Sequence, residues 1–312
     1  MKRNLWILSA LFCSAFIIMY ILVRGAEPDR IVAGVSRIYD HYQLETIDTI
    51  AFPGRVSIMR ATGNDIYGYV YSQKSVFRYN TVRHQLDTFF NDAVKPLPIV
   101  TRIEISEDGK TFYLFDETQE HITRYQPANK LTDSTGTAAF LTRKGTQLHF
   151  KDSTIREFTH FEDGGLSADG FFVNDARYQF YVSFYNSEII KYDVSKGVSQ
   201  SFQTIDQSPP INIAVPTGNI YSRSPKAIII NSTATADADH LYVLSYVLSQ
   251  DAIKSGYRGP AVDVYNISDG RYTGSFRLPG FQNKPVLQMA KCGDTLIAAY
   301  ERSILRFKLS ER

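Results

Sequence analysis

The sequence predicts an all-β fold, a β-propeller of six blades. Three observations predict it. A pattern of alternating apolar strand, polar turn and second strand ending in a basic residue and an aromatic recurs along the chain. It is clearest in FYVSFYNSEIIKYD at 180–193, and returns at 68–80, 112–126, 148–159 and 296–308, with a weaker copy, AVDVYN, at 261–266. The aromatics that close these copies are Tyr79, Tyr125, Phe158, Tyr192, Tyr265 and Phe307, spaced by 46, 33, 34, 73 and 42 residues. A repeat of about 40–50 residues is the length of a four-stranded propeller blade. Aromatics make up 13% of the 312 residues, with twenty Tyr and twenty Phe, a bias toward strands.

The blades follow in order. Blade 1 spans 55–90 with strands VSIMRA, IYGYVY, SVFRYN and QLDTFF. After a Pro-containing connector at 91–98 comes blade 2, with VTRIEI, an Asp108-Gly109 turn and TFYLFD. Asp-Gly between alternating apolar runs marks a hairpin. Blade 3, 137–161, is the most compact copy, and blade 4, 170–205, the cleanest. Blade 5 is swollen. Its connector, 206–224, holds Pro209, Pro210 and Pro216, and a second long loop covers 249–260. KAIIIN and LYVLSYVL read as its first two strands. Blade 6 has PVLQMAK, TLIAAY and SILRFKL, and lacks an outer strand. Residues 42–54 end like 272–280, apolar-x-apolar-Pro-Gly or a close variant, and are predicted to supply that strand and close the ring.

The N-terminus carries an address. Lys2 and Arg3 precede an uncharged run of 19 residues from Leu5 to Val23. About 20 apolar residues span a bilayer, whereas a cleavable signal core has about 7–15. A cut after Ala26 would put Arg24 where a small residue is wanted. Residues 1–24 are therefore read as a retained transmembrane anchor, with the propeller, 42–312, on the extracytoplasmic (periplasmic) side of the cytoplasmic membrane. Residues 25–41 read as a linker. Cys13 lies in the apolar run and Cys292 in the last repeat, so no disulfide framework is expected. A net charge of +2 gives no reason to expect nucleic acid.

These repeats resemble six-bladed propellers of the NHL and TolB-like type, especially membrane-attached propeller proteins of Bacteroidetes. The resemblance covers 42–312 and rests on the strand, polar turn and I-x-[RK]-[YF] pattern. It implies architecture and leaves binding modules and lactonases both open. Lactonases of this architecture hold a metal with Glu, Asn and Asp. That alternative implies calcium at Glu104, Asn174, Asp175 and Asn231. Arg60, Leu141 and Gln288 at comparable inner positions make a poor cation cage.

Other chemistry is sparse. Neither GxxxxGK[ST] nor GxGxxG occurs. Ser167 in GLSADG misses the nucleophile elbow by one residue and reads as a turn serine. Asp237-Ala238-Asp239-His240 reads as a polar turn before a strand rather than a metal site. Tyr and Phe are expected to fill the spaces between blades. No cofactor is expected, and the preferred reading is a binding or scaffold module for a protein, peptide or small ligand. The enlarged loops of blade 5 share one face and offer Tyr221, Arg223, Lys254, Tyr257 and Arg258 as ligand-binding residues, types enriched at binding hot spots. For the anchor, N-terminal sequencing of the exported protein should begin near residue 1; a start near Glu27 would show a cleaved signal peptide.

Overall fold

In the computed structural model, the described residues are 14–16 and 34–312, apart from 92–98, 107, 117–121, 127–130, 135–138, 160, 176 and 219. The anchor lies outside them except for 14–16, which are helical. No described helix is long and apolar enough to cross a membrane.

Six sheets form the ring. Strand β1 (Tyr42–Ala51) belongs to the last one. Blade 1 has β2 (Val56–Thr62), β3 (Asp65–Val70), β4 (Ser75–Asn80) and β5 (Gln85–Asn91). Blade 2 has β6 (Arg102–Ile105), β7 (Phe112–Phe115), β8 (Ile122–Gln126) and β9 (Leu131–Ser134). Blade 3 has β10 (Leu141–Lys144), β11 (Gln147–Phe150) and β12 (Ser153–Glu157). Blade 4 has β13 (Gly170–Asn174), β14 (Tyr178–Ser183), β15 (Glu188–Asp193) and β16 (Val198–Gln203). The following connector folds into a separate hairpin, β17 (Ala214–Thr217) and β18 (Ile220–Arg223). Blade 5 has β19 (Asn231–Ala236), β20 (His240–Ser245), β21 (Ala261–Asn266) and β22 (Tyr272–Phe276). Its long loop carries the short helix α1 (Gln250–Lys254), capped by Ser249, whose Oγ accepts from Ala252 N. Blade 6 has β23 (Gln288–Cys292), β24 (Thr295–Tyr300), β25 (Ser303–Glu311) and, outermost, β1.

The closing strand pairs antiparallel with β25 from Tyr42↔Glu311 to Ala51↔Ser303. A bulge between Thr46 and Asp48 turns Asp48 toward Arg306, which donates to both its carboxylate oxygens. First and last strands thereby share one sheet, and neither end of the ring is left as an open edge.

Aromatics pack between blades. Tyr79, Tyr192, Tyr265, Phe158 and Phe307 are all buried, and each belongs to a core cluster; Tyr125 packs at the margin of another. The repeated aromatic that sets the sequence register is thus the residue that wedges neighbouring sheets together.

Two expectations fail. The first strand of blade 5 is Asn231–Ala236, not KAIIIN at 226–231. NSTATA has little hydrophobicity because an innermost strand turns one face to the channel, so a polar, β-branched run suffices there. Blade 3 departs further. Leu141 N, at the start of β10, donates to Gln179 Oε1 at 2.5 Å, near the end of blade 4 where β13 turns into β14. Arg156, late in β12, pairs with Glu188 at the opposite end. The chain therefore enters blade 3 at the other end from blade 4. The innermost strands of blades 1, 2, 4, 5 and 6 touch one another in the series β6–β2–β23–β19–β13, whereas β10 packs on β14, a second strand. The described strands of blade 3 thus occupy the second to fourth positions.

The described part of the linker, residues 34–41, lies against blade 5. Arg37 is buried and donates from Nε (2.6 Å) and Nη2 (2.9 Å) to the two carboxylate oxygens of Asp263, and from Nη1 to Val247 O. Ser275 Oγ donates to the same carboxylate. Removing one partner of such a buried pair strands the other charge at a cost of about 3–5 kcal/mol. Arg37→Ala should lower stability by about that amount in chemical denaturation. A chain starting at residue 52 should lose cooperative unfolding altogether, while one starting at residue 31 should keep it; equal midpoints would refute closure by β1.

Candidate ligand site at the channel mouth

Inner strands alternate one side chain into the channel and one into the sheet. Ser57 and Arg60 of blade 1, Arg102 of blade 2, Arg143 of blade 3, Asp169 and Phe171 at the entry of blade 4, Thr233 of blade 5 and Gln288 of blade 6 line a cavity of about 470 Å³. Most stand at the starts of inner strands, so the cavity opens on the face where chain connectors enter the blades. A groove of about 530 Å³ adjoins it, walled by residues 225–229, Tyr246 and residues 285–287. Ser232 lines both spaces.

Glu104 is the hub of the channel wall. Arg102 donates to its Oε1 from Nε at 2.7 Å, and Arg60 from Nη2 at 3.0 Å. Glu104 and Arg102 are almost fully buried, while Arg60 keeps 23% of its side chain exposed. Burial opposes ionisation of Glu104, but the two guanidinium charges and their hydrogen bonds outweigh it and lower its pKa. Burial lowers the pKa of Arg102. Arg102 also donates to Leu141 O and lies 4.2 Å and 4.5 Å from the ring centroids of Phe172 and Phe115. No described strand of blade 3 stands between Arg102 and Phe172 of blade 4. Arg143 occupies the same gap, donating to Asp169 Oδ1 at 2.9 Å and to Gly165 O.

The four residues of the calcium alternative are spread apart. Glu104 is engaged by two arginines. Asn231 opens β19 and donates from Nδ2 to Ser183 O and Asn186 O. Ser183 pairs with Gly170, whereas Asn174 ends β13 opposite Gln179. Four residues of strand, roughly 13 Å, separate those levels. Asp175 lies in the turn after Asn174, its N–H donating to Tyr178 O. Among the described residues no group of three His, Cys, Asp or Glu side chains could hold a metal ion.

The loop residues fall into two places. Tyr221 and Arg223 lie on β18; Tyr221 is exposed, and Arg223 donates to Tyr185 Oη. Lys254 and Arg258 are exposed near α1. Tyr257 stacks on Arg277, 4.1 Å from its ring centroid, and Arg277 also faces Tyr39. Ser167 is buried and its Oγ accepts from Ile213 N, a structural role. Asp237 accepts from Asp239 N, His240 N and Tyr242 Oη, the polar turn the sequence suggests.

Sequence reasoning missed Arg102 and Arg143. Arg102 stands two residues before Glu104, a spacing that puts both on one face of a strand, and that was the available signal.

The fold is a six-bladed β-propeller. No family model matches the chain, and no curated protein matches it. Among solved structures it is similar to a structural genomics protein of unknown function from Bacteroides thetaiotaomicron VPI-5482, at 11% identity and TM-score 0.53, covering 90% of this chain and 75% of that one. A candidate exported protein from Bacteroides fragilis NCTC 9343 aligns at 10% identity and TM-score 0.48, covering 90% and 99%. Glutaminyl cyclase from Myxococcus xanthus aligns at 6% and 0.47, covering 89% and 100%. At 11% identity the Bacteroides thetaiotaomicron likeness speaks for the fold alone.

The lowered pKa of Glu104 sets a pH dependence. Its contribution to stability is complete above the ordinary value of 4.5 and is lost as pH falls through the lower folded value. Glu104→Gln, which leaves the buried Arg102 and the half-buried Arg60 without their carboxylate, should cost about 3–5 kcal/mol at pH 7. Its Tm should then vary less than the parent's between pH 4.5 and pH 2.5; parallel Tm profiles would show that Glu104 is not ionised in the fold.

Proposed function

We propose that this protein is a membrane-attached, extracytoplasmic binding module of the NHL/TolB-like kind, taking a ligand on the connector face of its propeller. The observation that carries the reading is the coincidence of features on that face. The channel cavity, the adjoining groove, the β17–β18 hairpin and the loop bearing α1 all lie there. Long connectors built into ordered elements are where function concentrates on a rigid scaffold. Tyr221 and Arg223 on the hairpin, and Lys254, Tyr257 and Arg258 on the loop bearing α1, are the candidate contacts in this proposal. The apolar run at 5–23, preceded by Lys2 and Arg3, supports attachment to the cytoplasmic membrane with the propeller outside. A binding role is preferred to metal-dependent hydrolysis because Glu104, the one inward carboxylate of the calcium alternative, is already neutralised by arginine.

Protease added to spheroplasts should digest the propeller of the full-length protein. Native mass spectrometry of the protein extracted in mild detergent should show a bound small molecule released on denaturation. A propeller protected from external protease would overturn the location, and a ligand-free mass from several growth conditions would overturn the binding role.

A further inference from the structure

We infer that the channel and the groove together hold one amphipathic carboxylate, its head group among Arg60, Arg102 and Arg143 and its apolar tail between blades 5 and 6. This rests on the binding-module reading and gives it a ligand class.

Charge balance comes first. Arg143 and Asp169 neutralise each other. Arg60 and Arg102 share a single carboxylate, that of Glu104, which leaves one positive charge in excess. That charge lies in a confined space with Phe171, Phe172 and Phe184 in its wall, where an unbalanced ion is costly. One anionic head group cancels it. A dianion would overshoot and meet Asp169.

Donor capacity comes second. A guanidinium carries five N–H groups and accepts nothing. Arg60 spends its described bonds on Met59 O and Glu104, and Arg102 on Glu104 and Leu141 O. Nη2 of Arg102 is buried without a hydrogen-bond partner. A planar carboxylate suits a planar guanidinium.

The third observation is continuity with an apolar surface. Beyond Ser232 the groove is walled mainly by Ile228, Ile229, Tyr246, Pro285, Val286 and Leu287, with Lys226 its one charged lining residue. Ile229 is 38% exposed, whereas its neighbour Ile230 is buried. A cationic chamber that opens sideways into an apolar trough matches a molecule with one charged end and one hydrocarbon end. Neither a bare inorganic anion nor a neutral apolar molecule would use both.

The test is isothermal titration calorimetry of the full chain in a sugar-headgroup detergent, with empty micelles subtracted. Octanoate should saturate one site. Acetate, which lacks the tail, and octan-1-ol, which lacks the charge, should each bind at least tenfold more weakly. Arg60→Gln should weaken octanoate at least tenfold and leave octan-1-ol unchanged, while Arg60→Lys should stay within a few-fold of the parent. Ile229→Asp should weaken octanoate without altering the response to acetate, a second line of test if Arg60→Gln fails to fold. Equal affinity for octanoate and octan-1-ol would overturn the inference. So would parent-like octanoate binding in Arg60→Gln, or inorganic phosphate binding more tightly than octanoate. If octanoate fails while a different small molecule is released from the native protein, the ligand class falls and the binding module stands.

Discussion

The whole ring depends on one pairing, β1 against β25. Five blades are built from consecutive stretches of chain, and each buries its faces only because a neighbour is present. Such an array must either end in two exposed sheet edges or fasten its ends together. Here a strand from near residue 42 completes the sheet that ends near residue 311. The cost is contact between the two ends of a long chain, which is slow to form because loop-closure entropy must be overcome first. The compensation lies in the interface. Tyr42 and Leu309 pack into the cluster between blades 5 and 6, Ile50 and Ile304 into the one between blades 6 and 1, and Asp48 and Arg306 fix the bulge between them.

A second constraint explains the channel. A four-stranded antiparallel blade takes the chain in and releases it on the same face; three strands reverse that relation. Blade 3 therefore begins at the opposite end, and its first described strand sits one position outward. Among the described residues, long cations stand beside the axis at this point. Arg102 reaches across it to Phe172, and Arg143 to Asp169. The channel is widest in chemical character where the repeat is weakest, and its charges follow from that irregularity.

Much of the architecture was legible because it is periodic. Alternation gave the strands, the recurring aromatic gave the blade spacing, and the shared ending of 42–54 and 272–280 pointed to the closing strand. Blade 3 was misplaced for a physical reason. TIREF at 154–158 carries an Ile, a basic residue and a closing aromatic much as third strands do, yet its strand is the last of the three described in blade 3 and lies at the outer edge. The first strand of blade 5 was missed because KAIIIN is more hydrophobic than NSTATA, and hydrophobicity marks burial rather than hydrogen-bonded pairing. Of the site, Glu104 was visible as a carboxylate between two isoleucines. Its neutralisation was not, because Arg60 approaches from a different blade, 44 residues away.

Arg37 shows how the same logic extends to the chain before the propeller. Its guanidinium meets Asp263, a carboxylate on the third strand of blade 5 that is fully buried. An aspartate there would be untenable without a fixed cation, since desolvation of an unpaired carboxylate costs several kcal/mol. Blade 5 is thus incomplete until residues 34–41 lie across it, and Val35 adds an apolar contact with Ile230 and Val247. Gln250 N, at the start of α1, donates to Val35 O, and Arg37 N donates to Asp251. The segment leading from the predicted anchor is therefore bonded to the very loop that enlarges blade 5. These bonds fix the path of residues 34–41 against the connector face of blade 5.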